Sequence, residues 1–584
     1  MNQLEQLRQW LPSTEKVVKA AEENRQAVAV TAGVVSLVGA VHLYRKKRSA
    51  PKLQGKSINS LPGPDSLPIF GHSLQFKMDE LNAFTEAISW KYGEMAQMFI
   101  GPMRVVLASS PQAVEKLFRE RPNNFKRSFN IEKEFQNSGV PGLFSMEGDD
   151  WRHSRAWLFP QFAPGKINKT KQLIIKHATS LRKSLDIFSK EVEEINNKWY
   201  PSVEQDPNTR YTKTNFYDPA ELKNTIDIFS SFAFGVVIDF SFAHATHYGG
   251  RIVIDKEECL PENILEDIKV IFTVMRRRLF QIVPWHKIGF RDADDRKFDE
   301  TVAKLNQSVQ NIIEDYDPNA YKEKSDKMST MLESLWYSLN HQDINKIETS
   351  GLLSASKAAS KMSIKDMVGN LLTVISAGYD TTANTMQTMV HLLAANPDVQ
   401  QKLHAEVDAI LGSPSARRQM SSDETSEAIE ENVFAQFPYT SAVINETQRL
   451  HPVAPFAGVE AIHDTVVDGY VLPKGTNIMV LTRVAAMRCC PTPDPFLFKP
   501  ERWIDSTPEQ KKQMERLDWT FGGGPRVCPG RHMANLELIY AAVLVISLYD
   551  ITEVARPPSA YPVMEGARFT SMLENVHVRF TPRT

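Results

Sequence analysis

Phe521-Gly522-Gly523-Gly524-Pro525-Arg526-Val527-Cys528-Pro529-Gly530 sets three consecutive glycines and two prolines around a single cysteine. Glycines let a backbone approach a flat ligand closely and take conformations that other residues resist. Pro525 and Pro529 stiffen the loop, so the cysteine is held at a fixed depth. Arg526 supplies a positive charge that favours thiolate over thiol and is able to pair with a carboxylate on a cofactor. Apolar periodicity resumes at His532-Met533-Ala534 and runs through Leu536, Leu538 and Ile539. Cys528 therefore precedes a buried helix, whose N-terminal dipole favours a negative sulfur. A single cysteine excludes a four-cysteine zinc or iron–sulfur site and leaves haem iron as the natural partner.

The F-G-G-G-x-R-x-C-x-G string resembles the haem-binding signature of the cytochrome P450 superfamily. Three further stretches match the family in its order. Ala377-Gly378-Tyr379-Asp380-Thr381-Thr382 lies in a long apolar helix expected from about Ile364 to Ala394 and resembles the oxygen-activation motif. Glycine within a helix costs about 1 kcal/mol relative to alanine, so Gly378 suggests room made for O2. An acid beside an alcohol forms a proton relay, with Asp380 as source and Thr381 bonding to the dioxygen. Glu446-Thr447-Gln448-Arg449 places an acid and a base on one helix face. By resemblance Arg502, in Phe498-Lys499-Pro500-Glu501-Arg502-Trp503, joins them as a structural trio. Trp151 and Arg155, at i and i+4 of one helix, offer an indole N–H and a guanidinium. The resemblance implies that they hold a haem propionate.

What the resemblance implies is a mainly α protein with small β-sheets, the cytochrome P450 fold, over roughly residues 60 to 584. Its cofactor is haem b (iron protoporphyrin IX), with Cys528 as axial iron ligand and Ala377, Phe521, Arg526 and Gly530 lining the site. The expected reaction is monooxygenation: one atom of O2 enters a lipophilic substrate by hydroxylation or epoxidation. NADPH acts indirectly, through NADPH-cytochrome P450 reductase, with cytochrome b5 as a second donor. A haem-thiolate isomerase, dehydratase or peroxygenase, acting without a reductase, is the alternative; Asp380 and Thr381 count against it. Two stretches depart from the family. Val453–Ala461 carries no arginine for a propionate, and Arg483–Pro495 lacks the usual His-Arg-Asp character.

Around these motifs the chain of 584 residues is 42% hydrophobic, enough for a large buried core. Sixty-eight basic against 70 acidic residues leave a formal charge of −2, which gives no reason to expect a nucleic-acid partner. The four cysteines, Cys259, Cys489, Cys490 and Cys528, do not make a disulfide framework. Residues Ala27 to Tyr44 are uncharged and apolar. Eighteen helical residues rise about 27 Å, close to the minimum for crossing a hydrocarbon core. Arg45, Lys46, Lys47 and Arg48 follow at once, so a single-pass anchor with the body in the cytosol is expected. The resulting organisation is a polar segment over 1–26, a transmembrane helix over 27–44, a basic linker over 45–60 and a catalytic domain over 61–584. The pattern is similar to eukaryotic microsomal members, such as fungal ones, of the endoplasmic reticulum membrane.

Strands are expected at Ala96–Ile100, Arg104–Ala108, Val466–Leu472 and Asn477–Leu481. Asn340–Met362 and Gly412–Asn432, rich in Ser with few large apolar residues, read as loops. Phe456, Val459, Phe569 and Met572 are candidate walls of an apolar substrate pocket.

Overall fold

The computed structural model describes residues 53–199, 225–242, 245–248, 251–254, 257–260, 264–280, 285–316, 330–340, 363–553, 564–567, 570–574 and 576–584. The expected anchor at 27–44, its basic flank and Phe569 lie outside them, as do residues 341–362 of the first expected loop. Among the described residues one helical stretch, Arg531–Leu548, is long and apolar enough to cross a membrane, but it is 72% buried and belongs to the core.

The architecture is mainly helical with small sheets, as the motifs led us to expect. Seven helices position the site: α1 (Pro111–Arg119), α2 (Gly148–Leu158), α3 (Lys171–Trp199), α4 (Thr225–Phe242), α5 (Ile364–Ala395), α6 (Pro438–Leu450) and α7 (Arg531–Leu544). The backbone of the arrangement is α5, 32 residues and about 48 Å long. Its start is fixed by a capping box, in which Ser363 accepts from the Asp366 N–H and Asp366 accepts from the Ser363 N–H. Helices α4, α6 and α7 all pack on it. Its buried residues, such as Leu371, Ile375, Met386 and Leu393, join the main core cluster with Phe229 and Val236 of α4 and Ile539 of α7.

The largest sheet has the order β1-β2-β7-β4-β3, formed by β1 (Met95–Ile100), β2 (Met103–Ala108), β3 (Phe125–Arg127), β4 (Ala457–Ala461) and β7 (Asn477–Val480). Strand β7 runs parallel to β2 and antiparallel to β4. Two expectations need correction. Val466–Leu472 is not one strand but a hairpin, β5 (Thr465–Val467) and β6 (Tyr470–Leu472). Asp468 and Gly469 both take positive φ (47° and 77°), and an Asp-Gly pair is suited to that tight turn. The second correction concerns Val459: it is fully buried in the sheet core beside Val106, Val467 and Ile478, committed to packing rather than to a pocket wall.

Gly412–Asn432 is also not a plain loop. It folds into short helices at Pro414–Gln419 and Ser422–Ala428, capped by the Ser413 and Ser421 hydroxyls. No apolar stripe announced them. Their anchor is instead buried Arg417, which donates to Asp408 (2.6 Å), Ser547 (2.6 Å) and the Val543 carbonyl (3.3 Å).

A C-terminal hairpin, β8 (Met564–Ala567) and β9 (Ser571–Glu574), lies against α5. The Gln387 amide of α5 donates to the Leu573 carbonyl at 2.7 Å, and the Ser571 N–H donates to the Val453 carbonyl at 2.8 Å.

Candidate active site around Cys528

The glycine loop leaves its imprint first on the protein itself. Gly522 and Gly524 take φ of +71° and +62°, the left-handed region that favours glycine. A Cβ at Gly524 would lie 2.3 Å from the Phe118 carbonyl oxygen at the end of α1, so glycine is required there by backbone packing. The loop then closes back on itself, the Cys528 N–H donating to the Phe521 carbonyl at 2.9 Å.

The Cys528 sulfur sits in a cradle of donors. Crowding by protein atoms pushes its thiol up, opposed by the Gly530 and Arg531 backbone N–H groups and by the charges of Arg155 and Arg531. These amides belong to the first turn of α7, where unsatisfied N–H groups and the helix dipole favour an anion. The expectation that Arg526 supplies the thiolate's charge is therefore corrected: Arg155 and Arg531 do so. Arg526 points elsewhere because a carboxylate of the protein captures it. Its Nη2 donates to Glu147 (2.6 Å) and to the Met146 carbonyl (2.7 Å).

Arg526 also brings the loop to α2. Its guanidinium lies 4.1 Å from the Trp151 ring centre, and that of Arg155 lies 5.7 Å from the same ring. Trp151 and Arg155 are both buried on one face of α2 with Ser154 and Leu158, the i, i+4 geometry read from the sequence. Two further arginines, absent from the sequence reading, complete the cluster. Arg121 is 4% exposed with Nη2 3.7 Å from Glu147, and the Arg127 backbone N–H donates to Glu147 at 3.0 Å. Burial pushes Arg127 well below its ordinary value, aided by the like charges of Arg121 and Arg526. Burial likewise lowers Arg526 to about 9, despite Glu147.

Three arginines thus gather around one carboxylate, Arg526 and Arg121 through their guanidinium groups and Arg127 through its backbone N–H, leaving a surplus of two positive charges. Several of their donors, Arg121 Nε and Nη2, Arg127 Nε, and Arg526 Nε and Nη1, are buried without a hydrogen-bond partner among the described residues. Unpaired buried charge is costly, and a dianionic ligand would satisfy it. The two propionates of haem fit this donor set. Arg121 and Arg127 also supply positive charge that the arginine-free stretch Val453–Ala461 does not.

On α5, Ala377 is exposed and the Thr381 hydroxyl donates to its carbonyl at 2.8 Å. The carboxylate of Asp380 accepts from the Thr570 hydroxyl at 2.5 Å. Gly378 does not face open space. A Cβ there would meet Val237 Cγ2 of α4 at 2.8 Å, so its missing side chain lets α4 approach rather than making room for O2. Glu537, on α7, is fully buried, and desolvation raises its carboxyl well above the usual range although Thr382 offers a hydrogen bond.

Behind the site, Glu446 of α6 is completely buried and accepts from five donors. Arg449 gives Nε and Nη2 (both 2.8 Å), Arg502 gives Nε (2.8 Å), and the Lys499 N–H (3.1 Å) and Trp503 indole (2.9 Å) complete the set. Arg502 spends its remaining donors on Thr492 and on the Pro493, Asp494 and Leu497 carbonyls.

No sequence periodicity pointed to Arg121, Arg127, Glu147, Glu537 or Thr570. The only available signal was local, an acid four residues before Trp151.

Known proteins resemble this chain over most of its length. The family model described as Cytochrome P450 matches residues 61–564. Cytochrome P450 3A15 of Cavia porcellus is 26% identical over 513 residues, covering 85% of this chain and 87% of its own. Sugiol synthase of Salvia miltiorrhiza is 24% identical over 516 residues, covering 88% and 91%. Cytochrome P450 3A40 of Oryzias latipes is 23% identical over 539 residues, covering 90% and 92%.

Proposed function

The chain belongs to the cytochrome P450 family, and on that premise we propose that it is a membrane-anchored monooxygenase fed by NADPH-cytochrome P450 reductase. Membership makes it a haem-dependent oxidoreductase of the monooxygenase class. The finer reading is that it hydroxylates or epoxidises a lipophilic molecule, with cytochrome b5 as a second electron donor. Its organisation would be 1–26 polar segment, 27–44 transmembrane helix, 45–60 linker and 61–584 catalytic domain. The apolar run at 27–44 and the basic cluster behind it support a cytosol-facing position on the endoplasmic reticulum membrane.

The observation that carries the reading is the pairing of a sulfur held by amides and arginines with a buried surplus of guanidinium charge beside it. Haem, when bound, supplies the activation of O2. The chain's own residues divide the remaining work. Cys528 is the ligand, oriented by the Gly530 and Arg531 amides. Trp151, Arg155 and Arg526, with Arg121 and Arg127, hold the acidic edge of the cofactor. Phe521, Gly530 and Ala377 border it, and Glu446, Arg449 and Arg502 lock the core behind. Asp380 is the proton source, and the Thr381 hydroxyl, now resting on the Ala377 carbonyl, hands the proton on.

Two measurements test this. Reduced, carbon-monoxide-treated enzyme is expected to show the family's red-shifted band, and Cys528→Ser to lose it; a band that survives refutes the ligand assignment. With the reductase, NADPH and O2 should be consumed together, and Thr381→Ala should divert electrons to hydrogen peroxide. Turnover that proceeds without NADPH would favour the isomerase, dehydratase or peroxygenase reading.

A further inference from the structure

We infer that Thr570, in the turn of the C-terminal hairpin, is a positioning residue for Asp380, fixing where that carboxylate lies and how readily it gives up its proton. The inference rests on the reading of Asp380 as proton source. Thr570 Oγ1 donates to Asp380 Oδ2 at 2.5 Å, across 190 residues of sequence. Both groups are half-buried, so the bond is partly shielded from water. A hydroxyl donated to a carboxylate favours the ionised form and fixes the carboxylate's rotamer.

The hairpin is well placed to hold such a bond. Its next residue, Ser571, is tied by its N–H to the Val453 carbonyl, and Leu573 is tied to Gln387 two turns further along α5. These anchors leave Thr570 little freedom to leave Asp380. The same hairpin carries Met572 and Leu573, both buried and apolar, against α5.

Thr381, by contrast, is satisfied within its own helix by the Ala377 carbonyl, and Asn384 holds only the backbone carbonyl of Asp380. Among the described residues, other titratable groups on the elements flanking this part of α5 include Glu537 on α7, Asp239 on α4 and Glu574 on the hairpin. Asp239 is paired with His177 and Lys176, and Glu537 with Thr382.

The test uses the full-chain holoenzyme with NADPH-cytochrome P450 reductase and no added substrate. Two electrons and two protons turn O2 into hydrogen peroxide; four of each turn it into two waters. The share of NADPH electrons recovered as peroxide is a branching ratio, so slow reduction does not mask it. Measured against pH, its midpoint should move up by about one unit in Thr570→Val, the size expected for losing one hydrogen bond to a charged carboxylate. Thr570→Ser should restore it. Asp380→Asn should erase the transition, and adding Thr570→Val to Asp380→Asn should change nothing more.

If Asp380→Asn leaves the branching ratio and its pH dependence intact, the proton-source reading fails and takes the inference with it. If Asp380→Asn acts but Thr570→Val matches wild type, only the role of Thr570 fails. Equal effects of Thr570→Val with and without Asp380 also overturn it, since the residue then acts by another route. A second readout is independent of turnover. Amide exchange over residues 570–574 should accelerate in both Thr570→Val and Asp380→Ala; unchanged exchange in both means that the tether does not hold the hairpin.

Discussion

Glu446→Gln isolates charge from shape, because glutamine fills nearly the same volume. In the native protein the carboxylate receives five donors in a site with no exposure. Glutamine has one carbonyl oxygen and one NH2 group. If the NH2 replaces Oε2, it confronts Arg449 Nε and the Trp503 indole; if it replaces Oε1, it confronts Arg449 Nη2, Arg502 Nε and the Lys499 N–H. At least two buried donors are therefore orphaned, at about 1–3 kcal/mol each. Viewed as an ion pair, removing one partner of a buried bridge costs about 3–5 kcal/mol. Both routes converge on roughly 4 kcal/mol, a large part of the 5–15 kcal/mol by which proteins are usually stable. For a chain of 584 residues, whose unfolding entropy is about 1.2 kcal/mol per degree, that corresponds to a fall in Tm of about 3 °C at a fixed scan rate.

Arg449→Met should cost less. Glu446 then keeps Arg502, Lys499 and Trp503, whereas among the described residues Arg449 has no second partner to fall back on when Glu446 goes, its Nη1 being already unsatisfied. The assay is thermal melting followed in parallel by haem absorbance and far-ultraviolet circular dichroism. A Glu446→Gln protein melting within 1 °C of wild type, or Arg449→Met proving the more damaging change, would refute the reasoning.

Other changes test the site from different sides. Gly524→Ala forces a Cβ to 2.3 Å from the Phe118 carbonyl at a positive φ; it should lower haem content on purification, read as the ratio of Soret to protein absorbance. Arg127→Met removes one unpaired buried donor of the charge surplus. Haem transfer from it to excess apomyoglobin should run about tenfold faster, the equivalent of about 1.4 kcal/mol. Glu537→Gln should show a pH signature. The native carboxyl is held above its unfolded value, so its contribution is fully present below the unfolded value and is lost as pH rises toward the folded one. Wild type should therefore lose stability from this group as pH rises above its unfolded value, by at most about 1.4 kcal/mol per pH unit and only up to the folded value, and the glutamine variant should not. Denaturant titrations at pH 5, 6 and 7 measure the difference, and parallel curves would show that Glu537 is ionised in the fold.

Local chemistry written in contiguous residues was legible without coordinates. The Cys528 loop, the long helix with Asp380 and Thr381, and the spacing of Trp151 and Arg155 each follow from a few neighbouring side chains, because helix period and turn chemistry act over short distances. The same locality explains the misreadings. Gly378 signals that something comes close, and only packing reveals that it is Val237 of α4. Arg526 signals a charge near sulfur, and only the fold supplies Glu147 to capture it.

The sequence by itself determined the order of the motifs and the mainly helical frame. The tertiary structure decided where charge accumulates and which polar groups meet. Arg121, Arg127, Glu147 and Arg526 are scattered over about 400 positions, yet they share one buried site, and Thr570 reaches Asp380 across 190 residues. Coulomb forces and desolvation depend on distance in space and not along the chain, so these contacts exist only once the chain has folded.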